Sequence, residues 1–316
     1  MDPITHGVIG LAISSFSGQA VSLDNPAAIG CALGAMAPDI DVVSRLFFDD
    51  LVYCKHHRGF THSVPALAVL AVGITYGLTF LFPTLSFWHV FLWTFIGGLS
   101  HTGFDILNSY GAMLIHKKLK VNILSLYDPV ISILAIFLIA YRQHSAISLT
   151  TTAAIFFGYI FLRFFARLHA GRVVKDHFGQ SHRVKSVRIL PSLKVFYKWD
   201  FIVDSVSHHI VGNYNPLIKD FHVISDFVKD SDMAQPLFHK TNVGRYFADF
   251  TPNYHIEHTS HEHGHSLRVI DLRYHFKGEF MHHASVELDH DLNITESYFQ
   301  PYSQTRKIPV HEGMTS

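Results

Sequence analysis

Apolar residues run nearly unbroken through Val64 to Pro83, Phe87 to Leu107, Pro129 to Tyr141 and Ser148 to about Leu168, and each run is bounded by polar or turn residues. A bilayer core is crossed by roughly 20 such residues in a helix. The first, second and fourth runs therefore predict spanning helices, and the third a shorter apolar helix. Ahead of them, Ile4 to Ser22 and Pro26 to Val43 are rich in Gly and Ala, which predicts a closely packed helical hairpin. Beyond about residue 171 the pattern becomes alternating, as in Leu193 to Val203, Ser266 to Phe276 and Ala284 to Asp291. Alternation predicts strands with one face buried. A short helix is expected near Val243 to Asp249 and a disordered tail after Tyr302. The expected fold is a mostly α-helical membrane domain over residues 1–170, a C-terminal α+β soluble domain over 171–302, and a tail over 303–316.

Composition supports that division. The 316 residues are 48% hydrophobic and 16% charged, with a mean hydropathy of +0.21, high for a soluble chain. A formal net charge of zero offers no electrostatic signal for nucleic acid. Two cysteines, Cys31 and Cys54, supply neither a disulfide framework nor a Cys-based zinc motif. No basic region precedes the first apolar stretch, so Met1 to His6 is expected to be mature sequence rather than a cleaved signal. Threading the apolar segments alternately across a bilayer puts Arg45, Lys55, Arg58, Lys117, Lys118, Lys120, Arg167, Arg172 and Lys175 on one side, against Arg142 on the other. That bias predicts a multi-pass protein of the cell membrane with both termini cytoplasmic.

The same threading gathers chemistry at the cytoplasmic face. His6, Asp39, Asp41, His57, His62, His101, Asp105 and Asp128 all lie at ends of apolar segments, where unpaired polar groups are costly unless they bind something. His101 and Asp105 are four apart and share a helix face. Asp39 and Asp41 follow Pro38 in an extended turn. A set of His and carboxylate without Cys suits zinc foremost, or manganese or iron, and is large enough for a dinuclear site. Each group also has a plainer role: His6, Asp39 and Asp41 as caps, His101 with Asp105 as an interhelical pair, the histidine cluster as a contact for lipid phosphate. Convergence on one face favours a single metal site.

These motifs resemble a family. Thr5-His6 with Gly10, Ala37-Pro38-Asp39-Ile40-Asp41, His57-Arg58-Gly59-Phe60-Thr61-His62-Ser63, His101 with Asp105, Asn108-Ser109-Tyr110-Gly111 and Asp128-Pro129 occur in the order seen in membrane-associated metal-dependent hydrolases, also described as LexA-binding, inner-membrane-associated hydrolases. The resemblance covers roughly residues 1–170 and implies a mostly α fold distantly similar to zinc-dependent phospholipase C and P1-type nucleases. It implies phosphoester cleavage, with divalent metal lowering the pKa of a water. Arg58 and Asp39 are then the candidate catalytic residues, the Arg58 fork holding non-bridging oxygens; a structural pairing of Arg58 with Asp49, Asp50 or a lipid phosphate is equally open. Thr61 and Ser63 are expected to cap the helix at Val64 rather than act as nucleophiles, and Asn108 to form a turn, with the orienting of a ligand as its alternative role.

The C-terminal half lies outside that motif set. His255, His258, His261, His263 and His265, with Glu257 and Glu262, match no defined metal motif and suit an exposed hairpin, although metal binding is open to them. Two functions follow from the sequence. One is a membrane-bound metal-dependent hydrolase of a phosphoester, a lipid head group included. The other is a membrane regulatory protein with a structural metal site, recruiting a protein partner through its C-terminal domain. The expected partners are membrane lipid, a phosphoester substrate and such a protein.

Overall fold

The computed structural model describes residues 1–40, 59–141, 145–193, 195–229, 234–276 and 278–311. The sequence-predicted ligands Asp41 and His57, the candidate catalytic Arg58, and the basic residues Arg45, Lys55 and Arg142 lie outside the described residues. The chain forms two compact units, one of residues 1–169 with 190–199, the other of 170–189 with 200–316.

The first unit is helical: α1 Pro3–Ser14, α2 Pro26–Met36, α3 Val64–Thr79, α4 Phe87–Leu107, α5 Pro129–Ala140 and the first part of α6, Ala146–Gly179. Three helices begin alike. Asp2, Asn25 and Asp128 are extended N-cap residues whose side chains accept two backbone N–H groups each, and a proline follows every one. The cap oxygen satisfies donors that the first turn leaves bare, and proline, lacking an N–H, adds none. Among the described residues two helices, α4 and α6, are long and apolar enough to cross a membrane. The span expected at Val64 to Pro83 is cut to the 16 residues of α3, because the helix ends at Thr79 ahead of a turn. Helix α6 exposes Phe157, Phe161, Leu162 and Phe165, a surface suited to lipid rather than water. Its one buried cation, Arg163, is held by carbonyls: Nε donates to Ile123 O at 2.8 Å and Nη1 to Phe196 O at 2.7 Å, with the guanidinium 4.2 Å over the Trp199 ring.

Small residues set the closest helix contact. A Cβ added to Gly34 of α2 would lie 2.0 Å from Thr94 O of α4, and one on Gly97 would lie 2.1 Å from Cys31 O. Backbone meets backbone along this seam, as small-residue stripes allow in membrane helices. Its functional result is that the Ala35 carbonyl of α2 comes within hydrogen-bond reach of His101 on α4.

Short strands pair as two ribbons, β1 Ala112–Met113 with β2 Lys118–Leu119 and β9 His275–Phe276 with β10 Glu279–Phe280. The second unit carries a four-stranded sheet in sequential order, β3 Val184–Pro191, β4 Trp199–Ser205, β5 His208–Asn215 and β6 Asp220–Val228. Two short helices follow, α7 Ala234–Lys240 and α8 Asn242–Phe250, the latter where the sequence predicts one. A five-stranded sheet completes the unit in the order β13 Ile308–Pro309, β12 Ile294–Pro301, β11 His282–Leu288, β8 Gly264–Asp271, β7 Tyr254–His261. A mostly α-helical description thus applies to the first unit alone. The expected disordered tail is corrected over its first part: Ile308 pairs with Phe299, and Val310 N–H donates to Ser297 O at 2.9 Å.

Candidate metal centre

Three pieces of chain meet at the α2–α4 seam. Residues 37–40 continue α2 as a 3₁₀ turn and carry Asp39. A second 3₁₀ turn, Phe60–His62, carries His62, whose carbonyl accepts the Thr102 hydroxyl of α4 at 2.9 Å. Helix α4 supplies His101 and Asp105 from one face. Asp39, His62, His101 and Asp105 are each at most 7% exposed, and one ligand atom from each lies within 4.8 Å of all the others.

The distances test the fit to a cation. His62 Nε2 and His101 Nε2 are 3.1 Å apart. Asp39 Oδ1 is 3.5 Å from His101 Nε2 and 3.7 Å from His62 Nε2. Asp105 Oδ2 is 3.6 Å from His101 Nε2 and 3.7 Å from His62 Nε2. Bonds of about 2.0–2.2 Å to a central ion place tetrahedral ligands about 3.3–3.6 Å apart, so five of the six edges are already near the required length. Direction agrees as well. His101 Nδ1 lies 2.7 Å from Ala35 O, where only an N–H can bond, so the neutral ring turns the Nε2 lone pair into the cluster. His62 Nδ1 is 3.1 Å from the Thr61 hydroxyl, which can accept its N–H when Nε2 faces an ion. With neutral imidazoles the four groups carry two negative charges out of reach of water, which one divalent cation cancels.

A fifth group stands against these four. The His6 ring of α1 stacks on His101 with centroids 3.7 Å apart, and its Nε2 is 3.4 Å from Asp105 Oδ1. His6 is buried, and neither of its nitrogens has a hydrogen-bond partner among the described residues; Asp39 Oδ1 is likewise bare of hydrogen bonds. Such atoms are costly in an interior unless something else satisfies them. Asp105 is oriented by Asn108, whose Nδ2 donates to Asp105 Oδ1 at 2.8 Å, and by the α-amino group of Met1 at 3.1 Å.

Of the sequence-predicted ligands, the structure brings together His6, Asp39, His62, His101 and Asp105. Asp128 is a correction. Its Oδ1 accepts from the backbone N–H groups of Val130 and Ile131, and its Oδ2 accepts the Tyr159 hydroxyl at 2.8 Å, so it starts α5 and anchors α6. The predicted cap at α3 also differs. Ser63 occupies the N-cap position without a side-chain bond to it, and Thr61 faces the His62 ring. Asn108 makes the predicted turn, accepting from Tyr110 N–H at 2.8 Å, and also takes its alternative role of orienting a ligand, through its bond to Asp105. The histidine run forms the β7–β8 hairpin, where His258 and His265 meet at 3.2 Å. Among the described residues it gathers no metal-ligating group of three.

A family model described as YdjM inner membrane protein matches residues 1–170, the region that holds the whole cluster. A second, described as the YfhP C-terminal alpha/beta plait domain, matches residues 235–308. The chain is also 31% identical over 315 residues to the uncharacterized protein YfhP of Bacillus subtilis (strain 168), an alignment covering 94% of each chain. No solved structure matches, so the expected likeness to zinc-dependent phospholipase C and P1-type nucleases finds no support.

Proposed function

The chain belongs to the YdjM inner membrane protein family, and from that premise we propose that it is a membrane-bound, metal-dependent hydrolase of phosphoesters. The observation that carries the proposal is the set of two imidazole nitrogens and two carboxylate oxygens at near-tetrahedral separations in a buried site. Asp39, His62, His101 and Asp105 would hold the ion. Two nitrogens and two oxygens without sulfur suit zinc, and suit manganese or iron if water completes a larger shell. A divalent ion here supplies Lewis acidity toward a phosphoryl oxygen and acidifies a bound water. The chain's own residues do the rest: Ala35 O and Thr61 fix the imidazoles, Asn108 fixes Asp105, and His6 brings an unbonded imidazole to the edge of the cluster, where it can take or give a proton. The basic-residue bias supports a multi-pass arrangement with this site at the cytoplasmic face.

A second reading, a structural metal in a regulatory membrane protein, is favoured by the near-complete burial of all four donors, since closed four-ligand shells are typical of structural sites. One set of assays separates the two. Purified protein loaded in turn with zinc, manganese and iron is offered soluble phosphodiesters and phospholipids. The hydrolase reading expects turnover that His62→Ala and Asp105→Ala abolish together with metal, and that His6→Ala slows while metal is retained. Full metal occupancy without turnover on any phosphoester leaves the structural reading.

A further inference from the structure

The second unit contains a cleft of about 850 Å³ bordered by β3, β4, β5, α7 and the start of β7. Its wall is chiefly polar, unlike the mostly apolar pockets that take drug-like ligands. The charges on that wall are unevenly compensated. Asp204 is its acid, and Lys229 Nζ donates to that carboxylate and also to Ser205 O. Lys185 lines the same cleft, is exposed, and makes no ion pair among the described residues. His209 lines the cleft as well, with Nε2 3.6 Å from Asp204 Oδ1 and Nδ1 3.2 Å from His255 Nδ1. The His255 ring is buried and stacked on Phe227, which fixes the pair. On the far wall the Tyr254 hydroxyl and His239 Nε2 are 2.9 Å apart.

Among the described residues the cleft therefore has cationic charge in excess, several N–H and O–H donors, and its one lining carboxylate already neutralised. A cation ligand is disfavoured, because His209, His255 and Asp204 do not converge on one point as the α2–α4 cluster does. An apolar ligand would leave the Lys185 charge uncompensated. An anion with several acceptor oxygens matches both charge and donors. The volume is far larger than one phosphate ion needs and lies in the range of pockets that enclose whole small molecules.

We propose that this cleft binds a soluble phosphorylated small molecule of nucleotide size, with its phosphoryl group between Lys185, His209 and Lys229. The site is separate from the metal centre and does not depend on the hydrolase reading. Full-length protein in detergent, carrying His62→Ala so that the metal centre does not contribute, is titrated calorimetrically with ATP, pyrophosphate, inorganic phosphate and adenosine. ATP or pyrophosphate is expected to bind saturably and adenosine not to bind. Lys185→Ala and His209→Ala should each weaken binding about tenfold or more, the loss typical of a hydrogen bond to a charged group. Lys185 is exposed, so its variant should retain the wild-type melting temperature without ligand. No saturable binding of a phosphorylated probe, or affinity in both variants equal to that of the protein without them, overturns the proposal. Vesicles of phosphatidylglycerol form a parallel arm: Lys185-dependent binding to vesicles without binding of soluble probes would assign the phosphate to a lipid head group and overturn the soluble source.

Discussion

Each unit buries a cluster of charged groups, and the two clusters are satisfied in opposite ways. In the second unit, Asp271 and Arg273 form a fork at 2.8–3.1 Å, and the same carboxylate accepts the Arg273 backbone N–H and the Thr251 hydroxyl, both at 3.1 Å. Donors and acceptors there are matched within the protein. In the helical unit, two carboxylates and three imidazoles are crowded together, yet both His6 nitrogens and Asp39 Oδ1 remain without hydrogen bonds among the described residues. A polar group buried for stability is saturated by its neighbours; one buried to receive a ligand keeps its lone pairs for that ligand.

The largest expected effect comes from breaking the saturated pair. Arg273→Met leaves the Asp271 carboxylate buried without its guanidinium, a change that typically costs about 3–5 kcal/mol. Thermal unfolding of the second unit, followed by near-ultraviolet circular dichroism, should shift down steeply while metal content stays unchanged. A small shift would mean that the fork is not what saturates Asp271.

How much of this contrast is visible before folding differs between the units. His101 and Asp105 are legible because a helix puts residues four apart on one face, and Asp39 and His62 because they end apolar runs in polar motifs. Asp128 shares the latter property and is nonetheless a cap. The distinguishing signal was in the chain: Asp2-Pro3 and Asn25-Pro26 start helices in the same way, and an acid directly before proline at a helix start is a cap by local geometry. An orienting role for Asn108 was legible only as an alternative to its turn, and Asp105 as its partner was not, since that bond needs the turn after α4 to fold back on its own helix. In the second unit, alternation marked parts of β4, β8 and β11, whereas β5, β12 and β13 were missed, as were β3 and β6. Their burial is irregular, with exposed residues adjacent on β6, so no period of two stands out.

A second effect, of intermediate size, comes from pH. Burial holds the His282 and His283 imidazoles down at about 4, from an ordinary value of 6.5. Above pH 6.5 folded and unfolded chains both keep these rings neutral, so stability is flat. Between pH 6.5 and 4 the unfolded chain takes protons that the folded one refuses, and stability falls. His282 alone should contribute on the order of 2–3 kcal/mol across that window. Melting of the second unit at pH 7.5 and pH 4.5 checks this, and His282→Phe should flatten the profile; an unchanged slope in that variant would show that the acid sensitivity lies elsewhere.

The smallest stability effect carries the sharpest site consequence. Gly34→Ala puts a Cβ 2.0 Å from Thr94 O, so α2 and α4 must separate, at about 1–3 kcal/mol. The separation draws Ala35 O away from His101 Nδ1, and loss of such an orienting bond typically weakens metal binding about 10–100-fold. Titration of metal-free protein with zinc should show that loss. Wild-type affinity in Gly34→Ala would mean that the seam does not set the imidazole.

The account turns on the cluster being a metal centre, and elemental analysis of purified full-length protein tests it most directly. Wild type should carry, or take up with high affinity, about one divalent ion per chain if the four donors form a single shell. A His101→Ala, Asp105→Asn double variant that still inserts into membranes should carry none. Wild-type protein that neither contains nor takes up zinc, manganese or iron, or a double variant that holds as much metal as wild type, would contradict the account.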